Sequence, residues 1–258
     1  MTSAWEWDDV ARQLSQGAAI DDRLDVALSL MAKLGFTALI YDYTPVPLSV
    51  EKRIIPPNVV KVRNVPENFT DLWINLAYAC IDPVQILSVS SALPFVWSLV
   101  DGENRGLESV IQPEHGPAVS YLRDMGMTCG ITMPIHQPGG DLANLTAIRT
   151  NAERDFDVDA RLHLADFVVL GSLFHAAVSP LLDPQSRTCH HVSLTMREQE
   201  CLQLCARGLT AKQIAHALDR SIATVTLHLN NAVRKLGAHN RPHAVAKAAH
   251  YRLIEDAR

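Results

Sequence analysis

Apolar residues recur along this chain at two periods, and the change of period marks its parts. In the last quarter Cys201, Leu202, Cys205 and Ala206 repeat at helical spacing. Ile214, Ala215 and Leu218 follow, then Val225, Leu229, Val233 and Leu236. Each run carries a start signal. Thr195 stands three residues before Glu198 and Thr210 three before Gln213, two capping boxes in which each side chain accepts from the other residue's backbone N–H. Ser221 caps the third run. Asn240 caps a fourth, with Pro242 in its first turn and Val245, Ala248 and Ala249 facing inward. Gly208 ends the first helix, and Asp219 and Arg220 turn the chain before the third. Two short helices, a tight turn and a longer helix form the order of a helix-turn-helix, a device for laying one helix in the major groove of DNA.

Earlier in the chain the patterns mix. Residues 8–16 and 21–34 read as helices, and Phe36 to Tyr43 (FTALIYDY) as a strand. Residues 44–66 hold five prolines and read as an irregular excursion with short strands. Residues 68–79 and 82–90 are helical in pattern, and 107–125 contain a further helix. CGITMPI and NLTAIRT read as a hairpin around Pro138-Gly139-Gly140, and 159–182 as one long amphipathic helix. The fold expected is an α+β N-terminal sandwich, an antiparallel sheet between helices, plus an all-α C-terminal four-helix helix-turn-helix domain. A receiver-type domain is disfavoured because strands and helices do not alternate regularly. The expected domains are 1–182 and 194–258, joined by the polar linker 183–193, DPQSRTCHHVS.

Charge sharpens this division. Residues 190–258 carry 10 Lys+Arg against 5 Asp+Glu, while residues 1–189 carry 13 against 23. A net charge of −5 for the whole chain therefore hides a basic tail able to attract phosphates. The five cysteines show no pairing pattern and read as reduced thiols, and His190, His191, Cys201 and Cys205 lack zinc spacing. No metal and no cofactor is expected. The acidic start MTSAWEWDDV is unlike an export signal, and no uncharged apolar run of about eighteen residues appears, so no membrane partner and a cytoplasmic location are expected. Neither a nucleophile motif nor a Gly-rich phosphate loop supports an enzyme. His163, His175 and Asp82 are the acid–base groups such a reading would need, and the two histidines read as surface or packing residues.

The third helix of the tail exposes Thr224, Thr226, His228, Asn230, Asn231, Arg234 and Lys235. Thr226 and Asn230, four apart, share a face. Asn can pair with adenine and Thr can touch a thymine methyl, whereas Arg234 and Lys235 are placed for phosphates. Thr210 and Lys212, at the start of the second helix, complete the DNA-facing set. The run LT-RE-E--L--CA-GLT---IA--L--S--TV--H-NN---KL closely resembles the LuxR-type helix-turn-helix of bacterial transcription regulators. Glu198, Leu202, Gly208, Thr224, Val225, His228, Lys235 and Leu236 fall on positions nearly always occupied so in that family. The match runs for roughly sixty residues without a gap.

The first domain resembles the autoinducer-binding domain of quorum-sensing LuxR-type regulators. The resemblance runs through N-V-P-x-x-F-x-x-x-W, Asp82-Pro83-Val84, Trp97-Ser98 and Gly126 to Ile135. It implies a mainly antiparallel sheet holding an acyl-homoserine lactone against helices. It also implies that Asp82 accepts from the ligand amide, that Thr146 helps bind the acyl-side carbonyl, and that Trp97 walls the head group, with Thr132 beside them. From its own neighbours alone, Asp82 reads rather as a helix cap before Pro83, and Phe69, Trp73 and Trp97 read rather as core. Phe69 stands where lactone binders usually carry tryptophan, and Trp73 where they carry tyrosine. Phenylalanine has no donor for a lactone carbonyl. That departure resembles the solo regulators of plant-associated bacteria, although those usually carry methionine at the first position.

The expected function is a ligand-responsive regulator that binds promoter DNA as a homodimer and senses an acyl-homoserine lactone or related small amphiphile, with RNA polymerase a further candidate partner. The alternatives are a solo regulator answering a plant-derived or other non-lactone compound, and a ligand-independent DNA-binding regulator. Dimerisation is expected through Leu164, Phe167, Val168, Val178 and Leu181 of the long helix, which can also pack on their own sheet.

Overall fold

The structure, a computed structural model, describes residues 5–100, 105–150 and 156–254. The outermost ends of the expected domains, 1–4 and 255–258, lie outside this range. The chain divides into two compact units, one of residues up to Leu48 with Ile54–Arg187, the other of Ser49–Arg53 with Thr188 onward.

The first unit is built on a five-stranded sheet of order β2-β1-β5-β4-β3, antiparallel at every pairing. The strands are β1 (Ala38–Thr44), β2 (Val59–Arg63), β3 (Phe95–Ser98), β4 (Cys129–His136) and β5 (Leu142–Arg149). Strand side chains alternate between faces, and here both faces are covered. Leu39, Tyr41, Tyr43, Ile131, Leu145 and Ala147 pack under α1 (Trp7–Gln16), α2 (Ile20–Ala32), α6 (Phe156–Leu162) and α7 (Leu164–Val178). Ala38, Ile40 and Ile148, in the opposite phase, pack with Phe69, Trp73, Val84 and Leu122 of α3 (Phe69–Ile74), α4 (Pro83–Ser90) and α5 (Gly116–Asp124). This two-sided burial explains why β1 and β5 are buried almost end to end.

Three expectations needed revision. Residues 68–79 are not one helix: α3 stops at Ile74, Ala77 takes a left-handed φ of 56°, and a separate 3₁₀ turn covers Tyr78–Cys80. The strand β3 went unread because its four residues are too few for alternation to register. The long helix 159–182 is broken at His163, whose ψ of 0° ends α6 and opens α7.

The stretch Leu164–Leu181, α7 with its closing 3₁₀ turn, has a mean hydropathy of 1.6 and is long and apolar enough to cross a membrane on those two measures. Asp166 interrupts it, so it is not an uncharged run. Its apolar character is explained by a core role: Phe167, Leu170, Gly171, Phe174 and Val178 are buried against the sheet. Phe167 and Val178, placed by sequence on a dimer stripe, thus belong to this core. The outward side of α7 instead carries Ala165, Val169, Ser172 and Ala176.

The second unit contains α8 (Met196–Ala206), α9 (Ala211–Ala217), α10 (Ile222–Lys235) and α11 (Arg241–His250). The capping chemistry read from sequence is in place. Thr195 and Glu198 exchange bonds at the start of α8, and Thr210 and Gln213 at the start of α9. Ser221 accepts from Thr224 N–H at 3.0 Å and Asn240 from His243 N–H at 2.9 Å. Gly208, at φ 86°, and Asp219, at φ 51°, make the left-handed turns between helices. The core stripe of α10 is Val225, Leu229, Ala232 and Leu236, with Val233 only half-buried. On α11 the buried residues are Ala244, Lys247 and Ala248 rather than Val245 and Ala249.

Gly130 has a steric reason to be glycine. It lies opposite Trp97 in the sheet, and a Cβ there would stand 2.5 Å from the indole ring and 2.9 Å from the Ala147 carbonyl oxygen. Gly130→Ala is expected to destabilise the first unit by about 1–3 kcal/mol through overpacking, read as a lower urea midpoint. An unchanged midpoint would show that the indole can shift freely.

Candidate ligand pocket and nucleic-acid interface

Between the sheet and α3–α5 lies a pocket lined on the strand side by Ile40, Asp42, Val60, Thr146 and Ile148, and on the other side by Phe69, Trp73, Asp82, Val84, Gln85 and Leu122, with Trp97 and Pro57 closing it. The pocket spans about 430 Å³, part of it open to solvent. Phe69 and Trp73, one helical turn apart on α3, stack with ring centroids 4.1 Å apart and planes 17° from parallel.

Asp82 is held by its own helix. It is the N-cap of α4, with Pro83 in the first turn, and Oδ1 accepts from the Val84 N–H at 2.9 Å. Its Oδ2 accepts from the Trp73 indole Nε1 at 3.2 Å. The capping role and the place on the pocket wall coexist, since a carboxylate has acceptor capacity beyond two bonds. Burial raises the Asp82 carboxyl to about 6, against the pull of the Val84 and Trp73 bonds. The indole of Trp73 is thus already engaged by Asp82 and does not stand as a free replacement for the donor missing at Phe69.

Of the remaining residues expected at the ligand, Thr146 and Trp97 line the pocket. Thr132 stands behind them: its Oγ1 accepts from Trp97 Nε1 at 2.9 Å and lies 3.0 Å from Thr146 Oγ1. This chain of bonds fixes the ring that Gly130 makes room for.

Sequence reasoning missed three polar residues at this place. Asp42 on β1, Gln85 on α4 and Asn144 on β5 are buried together. Gln85 Nε2 donates to Asp42 Oδ2 at 2.7 Å, and Asn144 Nδ2 donates to Asp42 Oδ1 at 3.0 Å and to Gln85 Oε1 at 3.1 Å. Burial lifts the Asp42 carboxyl to about 7, the two amide bonds oppose the rise, and the charge of Asp82 adds to it. The available signal was an aspartate inside FTALIYDY, in phase with Ala38 and Ile40 on one strand face.

On the second unit, α10 turns Asn230 and Arg234 to solvent, with Thr226 and His228 half-exposed. Asn231 Oδ1 accepts from Arg234 Nη2 at 3.1 Å. Leu227, 58% exposed between Thr226 and His228, belongs to the same outer face and was not anticipated. Thr210 and Thr224 serve their helix starts, their hydroxyls bonded to Gln213 and Ser221, and Lys212 is exposed in the first turn of α9. Lys235 is differently placed from Arg234. Its Nζ lies 2.8 Å from Oε2 of Glu198, whose side chain is only 4% exposed, so the ion pair ties α10 to the capping box of α8. Desolvation pushes the Glu198 carboxyl up, but the Lys235 bond and the Thr195 N–H outweigh it and leave the carboxyl below its ordinary value.

Comparison with known proteins joins the two sites. Residues 19–178 match the model of the autoinducer binding domain, and residues 192–248 match that of bacterial regulatory proteins of the luxR family. The quorum sensing-dependent transcriptional regulator RpaR of Rhodopseudomonas palustris is 30% identical over 227 residues, 88% of this chain and 86% of that protein. The transcriptional activator protein AhyR of Aeromonas hydrophila is 30% identical over 213 residues, 80% of this chain and 78% of that protein. Escherichia coli SdiA shares the fold at a TM-score of 0.57 and 21% identity, covering 97% of this chain and 98% of that one. The lactone-dependent CepR2 of Burkholderia cenocepacia does so at 0.51 and 20%, covering 67% and 93%. With a sheet-and-helix pocket in one unit and a capped helix-turn-helix in the other, this chain belongs to the LuxR family of transcription regulators that carry an autoinducer binding domain.

Proposed function

We propose that this protein takes a small amphiphile into the pocket of its first unit and, as a homodimer in the cytoplasm, reads promoter DNA with α10. The observation that carries this reading is Asp82, a buried carboxylate on the wall of an otherwise largely apolar pocket, in the region matching the autoinducer binding domain. Such a carboxylate holds one amide N–H and orients an otherwise apolar guest. Thr146 takes the acyl-side carbonyl and Trp97, braced by Thr132, walls the head group. The guest is an acyl-homoserine lactone or a related amphiphile. The second reading, a solo regulator of a non-lactone compound, is favoured by Phe69, which offers a lactone carbonyl no donor, and by Trp73, which already donates to Asp82.

The working division is a ligand domain of residues 1–182, a linker 183–193 and a DNA-binding domain 194–258. Pairing of two copies is served by the outward face of α7, where Val169 is exposed among Ala165, Ser172 and Ala176. Two copies of α10 then address half-sites about 10 base pairs, or a multiple, apart. Asn230 and Thr226 read bases, Leu227 adds an apolar contact, and Arg234 and Lys212 meet phosphates. Burial of the guest stabilises the folded state by mass action and couples ligand to DNA occupancy.

Asp82→Asn keeps a capping side chain but removes the charge. It is expected to weaken binding of N-acyl-homoserine lactones roughly ten- to a hundredfold. In the unsubstituted protein, ligand affinity is expected to fall as pH drops through about 6, where Asp82 gains its proton. Titration calorimetry at pH 5 and 7.5 checks both, and an undiminished affinity in Asp82→Asn would refute the amide role. Asn230→Ala is expected to lose about 1–3 kcal/mol of discrimination between promoter and random duplex, with non-specific binding kept; identical footprints would count against base reading by Asn230.

A further inference from the structure

Resting on the reading of this pocket as the ligand site, we infer that the Asp42–Gln85–Asn144 triad is a second polar subsite, selecting guests whose chain carries a hydrogen-bond donor, a hydroxyl or an amine, over guests with a plain alkyl chain.

Register places it. On β1 and β5, Ile40 stands opposite Thr146 and Asp42 opposite Asn144. The two pairs share a face of the sheet and are separated by two residues, about 6.6 Å of strand. Asp82 and Thr146 therefore hold one end of a guest while Asp42 and Gln85 meet its chain further along.

Counting donors and acceptors tells what the triad lacks. Both donors of Asn144 are used, on Asp42 and Gln85, and Gln85 Nε2 gives one of its two hydrogens to Asp42. Acceptors are in surplus. When ionised, each oxygen of Asp42 takes one of these amide bonds and has capacity for another; Asn144 Oδ1, off the pocket wall, is fully buried with no hydrogen-bond partner among the described residues. Among the described residues no lysine or arginine lines the pocket to neutralise Asp42. A buried acceptor without a donor is unfavourable, and a methylene chain laid against Asp42 would leave that deficit in place. A hydroxyl or ammonium group would remove it. A site that hydrogen-bonds a guest rejects the analogue lacking that group far more strongly than an apolar pocket distinguishes methylenes.

The test uses the full chain and three probes with one head group: N-hexanoyl-, N-(6-hydroxyhexanoyl)- and N-(6-aminohexanoyl)-homoserine lactone, whose chains span roughly the distance set by the register. Calorimetry or thermal shift is expected to rank the hydroxyl and amine probes above the hexanoyl probe by roughly tenfold or more. Asp42→Leu is expected to reverse that order. Should Asp42→Leu fail to fold, the near-isosteric Asp42→Asn is expected to lose affinity for the amine probe while keeping that for the hydroxyl probe. A wild-type protein that binds the hexanoyl probe as well as or better than both others overturns the subsite while leaving the pocket reading intact. So does a ranking unaltered by substitution at Asp42. Binding of none of the three overturns the subsite together with the lactone reading of the pocket, and leaves the non-lactone reading standing.

Discussion

Placing two carboxylates between a sheet and a layer of helices, with no lysine or arginine on the wall among the described residues, constrains almost everything around them. Asp82 and Asp42 are both buried and both raised in pKa by desolvation. Each is tolerated because neutral donors surround it: a helix N-terminus and an indole for Asp82, two side-chain amides for Asp42. Those donors come from different elements. The Trp73–Asp82 bond ties α3 to α4, and the triad ties α4 to β1 and β5. The covering helices are thus attached to the sheet by polar contacts at the site where apolar packing is interrupted, and a change in what the carboxylates touch is felt by the cover as a whole.

The opposite face of the sheet obeys a different rule. There the buried contacts are mainly apolar, with Phe167, Leu170 and Phe174 of α7 fully buried, and hydrogen bonds from Tyr41 to His175 and from Tyr43 to Asp141 are set among them. The sheet therefore has a fixed side, dominated by non-directional burial, and an adjustable side, where stacked rings and hydrogen bonds can be rearranged at modest free-energy cost. A regulator needs both: a frame that keeps its shape and a layer that responds to a guest.

The parts legible in the sequence were those with local causes. Caps, the glycine stop at Gly208 and the stripe Val225, Leu229 and Leu236 follow from contacts within a few residues, and they defined the four helices of the second unit closely. The hairpin of β4 and β5 was readable for the same reason. What escaped depended on partners distant in sequence. Four-residue β3 is a strand because Trp97 has Gly130 to lie against. Asp42 is a pocket residue because Asn144, about a hundred positions away, stands opposite it. The break at His163 and the division between the core and outer sides of α7 are likewise decided by the sheet beneath them, which periodicity alone does not reveal.

The pairing of Lys235 with Glu198 has a consequence for how the second unit responds to ionic strength. Affinity for duplex falls with salt in proportion to the number of condensed cations that the protein's own charges displace. An ammonium already 2.8 Å from a largely buried carboxylate has part of its charge balanced within the protein. Lys235 thus adds rigidity to the helix it terminates, and its partner reduces, without removing, the charge it can offer a phosphate.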